Sequence, residues 1–188
     1  MLHSGASCSN IRPQWFNWGE HDLVFVGTYE HTIDGKNRFA VPKDIRAILG
    51  ATTTRAKGPK PDNEPTIFLY VTRGEGQSLS LYTEENFQQL ADDLYESDLD
   101  PNQLLEYERV FFSFSRRVEI DKQGRVRLPD HLLNAAGIEK EIVLIGAADH
   151  LEIRNRTQWT EYADEVVKEA NYFANPRRFK AKRKAAQS

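Results

Sequence analysis

A chain of 188 residues that is 39% hydrophobic and 28% charged can bury one sizeable core or two small ones. Its single cysteine, Cys8, excludes an internal disulfide framework or cysteine-based zinc site, and its longest apolar run, 142–148, falls far short of the roughly twenty residues that cross a bilayer. The formal net charge is −3, too acidic for a protein that binds nucleic acid with its whole surface.

Residues 1–22 mix Ser, Gly, Asn and Pro with two tryptophans and lack the basic and apolar regions of a secretory leader. They are expected to form an irregular extension of a cytoplasmic protein with no membrane span. From Leu23 to Ile33 apolar and β-branched residues predict a strand broken at Gly27. Asp34-Gly-Lys-Asn37 then supplies turn chemistry, and Arg38–Val41 forms the returning strand. Pro42 opens a helix of about two turns with Ile45, Ile48 and Leu49 on one face, and Gly50 closes it.

Residues 51–65 read as an exposed inserted loop. A strand pair follows around Ile67–Leu69 and Leu79–Leu81, then a helix capped by Thr83 and another running from Asp100-Pro101 to Phe112 that connects two halves. The second half repeats the first. Val118–Ile120 leads into the Lys122-Gln-Gly124 turn, Arg125–Leu128 returns, Pro129 opens a helix and Gly137 closes it. The copies are displaced by 87 residues (121 − 34), with Ile142–Leu144 answering Ile67–Leu69, and Leu151 and Ile153 answering Leu79 and Leu81. The closing helix is expected to be capped by Thr157. These matches predict two half-domains sharing one core, residues 23–98 and 99–175, with the extra 15 residues of the first copy lying between Gly50 and Thr66.

Charge is unevenly spread. Residues 176–188 hold six basic side chains and no acid, and without them 19 basic (25 − 6) face 28 acidic groups. DNA binding by the body would therefore need a focused patch, and residues 34–60 offer one with Lys36, Arg38, Lys43 and Arg46 among seven cations against Asp34 and Asp44. The basic tail is expected to be disordered. Nine carboxylates in residues 84–108, with no Lys or Arg, make the opposite pole.

The five histidines are scattered, and no hydrolase, phosphate-loop, metalloprotease or dinucleotide signature occurs. Neither enzymatic activity nor a cofactor is expected. The two Asp-x-x-x-Arg turns are the informative motif. Asp34 with Arg38, and Asp121 with Arg125, can simply brace a hairpin, or the turn can carry Lys36, Asn37 and arginine to phosphates and base edges.

The tandem pattern E-H-T-I-D-G-K-N-R-F-A-V-P and V-E-I-D-K-Q-G-R-V-R-L-P resembles the MraZ family of bacterial transcriptional regulators with two SpoVT-AbrB-like repeats, over roughly residues 25–167. The closing segment E-I-V-L-I-G-A-A-D-H-L-E-I-R-N-R-T-Q-W is similar to that family as well. The resemblance implies an α+β fold, a pseudo-two-fold swapped-hairpin β-barrel with flanking helices, assembled into a ring-shaped homo-oligomer. It also implies binding of double-stranded DNA at direct repeats upstream of the division and cell-wall gene cluster, as a nucleoid-associated repressor. Carried onto this chain, the DNA-contacting positions fall on Lys36 and Arg38 and, in the second copy, on Arg125, with Asp34 and Asp121 bracing the turns. Asn37 replaces the family's usual glycine, and Lys43 and Arg46 are candidates for phosphate contacts. The first copy, in its basic stretch, is expected to be the main reader. The rival reading is a structural β-barrel protein that binds another protein through its acidic helices.

Overall fold

The computed structural model describes residues 24–57 and 66–168. The expected extension 1–22, the part of the insertion at 58–65 and the basic tail 176–188 lie outside the described residues. The elements run β1 (Thr28–Thr32), β2 (Arg38–Ala40), α1 (Lys43–Lys57), β3 (Phe68–Arg73), β4 (Ser78–Tyr82), α2 (Glu84–Tyr95) and α3 (Pro101–Phe114). The second copy follows with β5 (Arg116–Glu119), β6 (Arg125–Arg127), α4 (Asp130–Ala136), β7 (Glu141–Ala147), β8 (His150–Asn155) and α5 (Arg156–Lys168).

The fold is α+β, with β3–β4 and β7–β8 as antiparallel hairpins within each copy. The first two strands of each copy pair chiefly with the other copy, β1 with β7, β5 with β3 and β2 with β6, beside an isolated Ile120–Val126 bridge in the second copy. The six-stranded sheet has the order β1-β7-β8-β4-β3-β5, which reads the same when the copies are exchanged, and β2-β6 forms a separate ribbon. Within this described part the sheet does not close into a barrel, because β1 and β5 remain its two edges.

Register locates the pseudo-two-fold. Phe39 lies opposite Val126, 87 residues away (126 − 39), so each faces its own counterpart. In the large sheet Ser80 faces Glu152 in the same way, with a separation of 72 (152 − 80). The register also corrects the expected match of Ile67–Leu69 with Ile142–Leu144. His31 pairs with Ile142 and Val118 with Leu69, and Val118 is the counterpart of His31, so Leu69 answers Ile142 at a separation of 73 (142 − 69). The extra length of the first copy is therefore 14 residues before β3 (87 − 73) and one in the β3–β4 hairpin (73 − 72).

The core follows the repeat. Ile33, Phe39, Val41, Ile45 and Leu49 are buried together with Ile120, Val126, Leu128, Leu132 and Ala136, at corresponding places of the two copies. Both helices begin at proline, where a missing N–H costs nothing. They end differently. Gly137 takes φ 60°, and its N–H and that of Ile138 donate to Asn134 and Leu133 O, a Schellman stop. Gly50 has no positive φ, so α1 passes it and runs to Lys57. The first seven residues of the expected loop 51–65 are thus helical despite three consecutive threonines, since Gly50 does not take the left-handed conformation that would stop the helix.

Thr83 Oγ1 accepts from Asn86 N as expected, and Asp100 with Gln103 forms a capping box on α3. α5 starts earlier than the Thr157 cap implied. Asn155 Oδ1 accepts from Thr157 N, so Asn155, the counterpart of Thr83 at a separation of 72 (155 − 83), does the capping.

Candidate nucleic-acid interface

Each Asp-x-x-x-Arg turn is closed by one local network. Asp34 N donates to Arg38 O and Asn37 N to Asp34 O, while Asp34 Oδ1 accepts from the amides of Lys36 and Arg38, both at 2.9 Å. Arg38 Nε and Nη2 then donate to Asp34 Oδ2 at 2.9 and 2.7 Å. Asp121 receives the same bonds from Gln123, Arg125 N and the Arg125 guanidinium, with side-chain distances of 3.1 and 3.0 Å. The side-chain bond from Arg38, followed by the backbone bond, holds the Asp34 carboxyl well below its ordinary range. For Asp121 the Arg125 amide is the first cause of the same lowering. Each of the two carboxylates thus accepts four hydrogen bonds within its own turn.

Bracing uses only part of each arginine. A guanidinium has five N–H donors, and two on each of Arg38 and Arg125 are taken by the aspartate, leaving three. The turn geometry also answers the sequence: Asn37 has φ 57° and Gly124 has φ 76°, one left-handed requirement met by two residue types.

The ribbon decides what these arginines share. Arg38 lies opposite Arg127 and Ala40 opposite Arg125, while Phe39 and Val126 form the intervening pair. Directly opposed residues of an antiparallel pair project to the same face. Phe39 and Val126 are 1% and 0% exposed, so the opposite, outward face carries Arg38, Arg125 and Arg127. Like charges directly opposite would destabilise the ribbon. The carboxylate of Asp34 on Arg38 offsets that repulsion. Arg127 was not among the sequence candidates, although the Arg-Val-Arg alternation of residues 125–127 places it beside Arg125 on one face.

The expected patch of Lys36, Arg38, Lys43 and Arg46 is not continuous. Val41 N donates to Gly124 O and Leu128 N to Asn37 O, so each strand leads its helix to the other copy's turn. α1 accordingly starts beside the second turn, and the Arg46 guanidinium lies over Gly124, 2.6 to 2.8 Å from where a Cβ would stand. Arg46 Nε donates to Val41 O. The first turn instead meets α4, where Asn37 Nδ2 donates to Asp130 Oδ1. Lys36 and Lys122 are exposed at the two turn tips, as is Lys43 at the start of α1. The first turn thus has Arg127 and Asp130 for neighbours, and the second has Arg46 across Gly124.

Among the described residues no group of three or more His, Cys, Asp or Glu is placed to hold a metal ion, and no helix is long and apolar enough to cross a membrane.

The family model described as "MraZ protein, putative antitoxin-like" matches residues 111–182. A Transcriptional regulator MraZ from Clostridium tetani is 33% identical over 141 residues, covering 75% of this chain and 88% of the relative. Proteins of the same name from Dictyoglomus thermophilum and Alkaliphilus metalliredigens are 34% identical over 145 residues and 32% identical over 142. They cover 76% of this chain each, and 86% and 88% of the relatives.

Proposed function

Since this chain belongs to the MraZ family, we propose that it is a sequence-specific, DNA-binding transcriptional regulator that reads the major groove with its β2–β6 ribbon and the flanking turns. The observation that carries this reading is the outward ribbon face with Arg38, Arg125 and Arg127. A B-DNA major groove, about 12 Å wide, admits a two-stranded ribbon, and arginine donating to guanine O6 and N7 is its commonest specific contact. The three donors left on Arg38 and on Arg125 point to base or phosphate contacts made by residues that the aspartates already hold in place. Preorganised side chains lose less entropy on binding.

Lys36, Lys122, Lys43 and Arg46 are suited to phosphates flanking the groove. Asn37 adds a side-chain amide beside the first turn. We further infer that the protein acts in the cytoplasm on the nucleoid, as a repressor at direct repeats upstream of the division and cell-wall gene cluster. A swapped-hairpin double repeat assembled as a homo-oligomeric ring would present several ribbons, and avidity would strengthen weak single contacts. The strand exchange between copies supports that architecture. The relatives carry the name of a regulator and not of an enzyme, and no enzymatic step is assigned.

A mobility-shift titration on the upstream repeats against a scrambled duplex tests the reading. Preference for the repeats, with affinity falling as salt rises, is expected; equal and weak retention of both duplexes would refute sequence recognition. One observation favours the rival protein-binding reading: Tyr95, Leu99, Leu105 and Tyr107 are exposed on and between α2 and α3 within the acidic stretch, with exposed Val110 just beyond it. A chain that binds no duplex yet captures a protein only through that surface would establish it.

A further inference from the structure

α2 and α3 pack on β3 and β4 without contributing a buried residue of their own, and a cleft of about 470 Å³ runs between them and the sheet. Leu90, Tyr107, Val110, Phe111 and Phe114 form its helical wall. That apolar wall is open to solvent, with Tyr107 45% and Val110 61% exposed. The sheet side changes character along its length. At one end Tyr82 and His150 stack at 4.9 Å; at the other, beyond the Ser80–Glu152 pair, Arg73 and Glu75 are exposed on the β3–β4 hairpin. Glu152, between the two ends, accepts from Arg154 Nε at 2.9 Å.

The aromatic end adjoins the point where the chain enters the sheet. Phe25, 1% exposed, forms a bridge with Ala148: its N–H donates to Ala148 O at 2.7 Å and its O accepts from Ala148 N at 3.1 Å. His150 stands two residues after Ala148, and Asn86 of α2 donates to the O of Asp149 between them. Whatever precedes Phe25 therefore departs from the β7–β8 turn, beside the Tyr82–His150 end of the cleft. Upstream, outside the described residues, the sequence reads Trp15-Phe16-Asn17-Trp18, and Arg12 is the single charged side chain of residues 1–18. Trp18 precedes Phe25 by seven residues (25 − 18), a span of up to about 25 Å. From the line of β1 to β4 is three strand spacings, roughly 15 Å, so the segment reaches the cleft with slack.

Other occupants match the cleft less well. A second copy's α2 and α3 would set nine carboxylates, unrelieved by any Lys or Arg in residues 84–108, against the same nine, and juxtaposed like charges repel. The basic tail 176–188 has one aromatic residue, Phe179, among six cations, and would leave the apolar wall largely uncovered. Tryptophan suits a site that is apolar on one side and polar at its rim, because its ring buries a large area while its N–H keeps an acceptor.

We propose that this cleft is the docking site of the chain's own residues 15–18, with the rings of Trp15, Phe16 and Trp18 laid against the α3 wall and the Tyr82–His150 end. The docked segment covers Tyr107 and Val110, supplies the burial that α2 and α3 lack, and slows amide exchange in α3.

Tryptophan emission of the full chain tests this. Trp159 is the one other tryptophan, so in a Trp159→Phe protein the signal comes from Trp15 and Trp18 alone. Emission blue-shifted from that of the urea-unfolded chain, with weaker acrylamide quenching, is expected. Val110→Glu, at an exposed position of the wall, should move both towards the unfolded values with an unchanged circular dichroism spectrum. Emission that already stands at the unfolded position, or that a folded Val110→Glu protein leaves in place, overturns the proposal. A cysteine pair gives an independent reading. In a Cys8→Ser background, mild oxidation of Asn17→Cys/Val110→Cys should form a disulfide within one chain, read by mass spectrometry of unreduced peptides, while Asn17→Cys/Lys36→Cys stays unlinked. A bond between two chains, or equal linking at residues 36 and 110, overturns the same-chain site.

Discussion

The guanidinium of Arg46, on the helix of the first repeat, lies across Gly124 in the turn of the second, with Nη1 2.6 Å from the place of a Cβ. Gly124 is also left-handed at φ 76°. Two effects would therefore act on any side chain placed there. Arg46 presents the far end of a flexible side chain and can move aside, whereas the backbone cannot.

Backbone strain should accordingly dominate the cost of Gly124→Ala, at about 1–2 kcal/mol. Urea unfolding of Gly124→Ala in the presence and absence of Arg46→Ala measures this. Nearly equal losses in the two backgrounds are expected; recovery of most of the stability on removing Arg46 would assign the cost to the clash.

Arg38 and Arg127 face each other across the ribbon but differ in their partners. Arg127→Ala should weaken operator binding by about 1–3 kcal/mol if it contacts a base and leave the melting temperature nearly unchanged. Arg38→Ala should weaken binding and also lower the melting temperature, because it leaves Asp34 without its bidentate partner. Mobility shifts and thermal melts on the same preparations separate the two. Full operator affinity in a folded Arg127→Ala protein would remove that residue from the interface.

The two turn aspartates make stability sensitive to acid. Their carboxyls sit lower in the folded chain than in the unfolded one, so their contribution is present above the unfolded value of about 4 and is lost as the pH falls further. Melting temperature should therefore decline below about pH 4. The decline in that window should be shallower in Asp34→Asn/Asp121→Asn, whose starting stability at neutral pH is lower. Identical acid profiles for the two proteins would mean that other carboxylates control the loss.

Phe39 faces the core from the same strand that offers Arg38 outward. Phe39→Ala should cost about 3–5 kcal/mol by urea unfolding, with operator affinity falling only in proportion to the unfolded fraction where the variant still folds. A large loss of affinity at unchanged stability would place residue 39 in the interface and refute the assignment of faces.

The sequence by itself determined what depends on near neighbours. Asp34 and Arg38, like Asp121 and Arg125, are four residues apart, so their network is local and its residue types are readable as turn chemistry. The core face of Ile45 and Leu49, the Thr83 and Asp100 caps and the duplication itself are likewise written within short windows. Helix ends were less legible, because Gly50 and Gly137 look alike until a left-handed φ is needed, and only Gly137 adopts one. Tertiary structure alone decided which strands pair. Exchange between copies brings Arg127 opposite Arg38 from 89 residues away (127 − 38) and carries Arg46 from the first turn to the second. It also gathers Tyr82, Tyr107 and His150 around one cleft. Contacts over such separations depend on the packing of the two copies against one core, and no local pattern encodes their register.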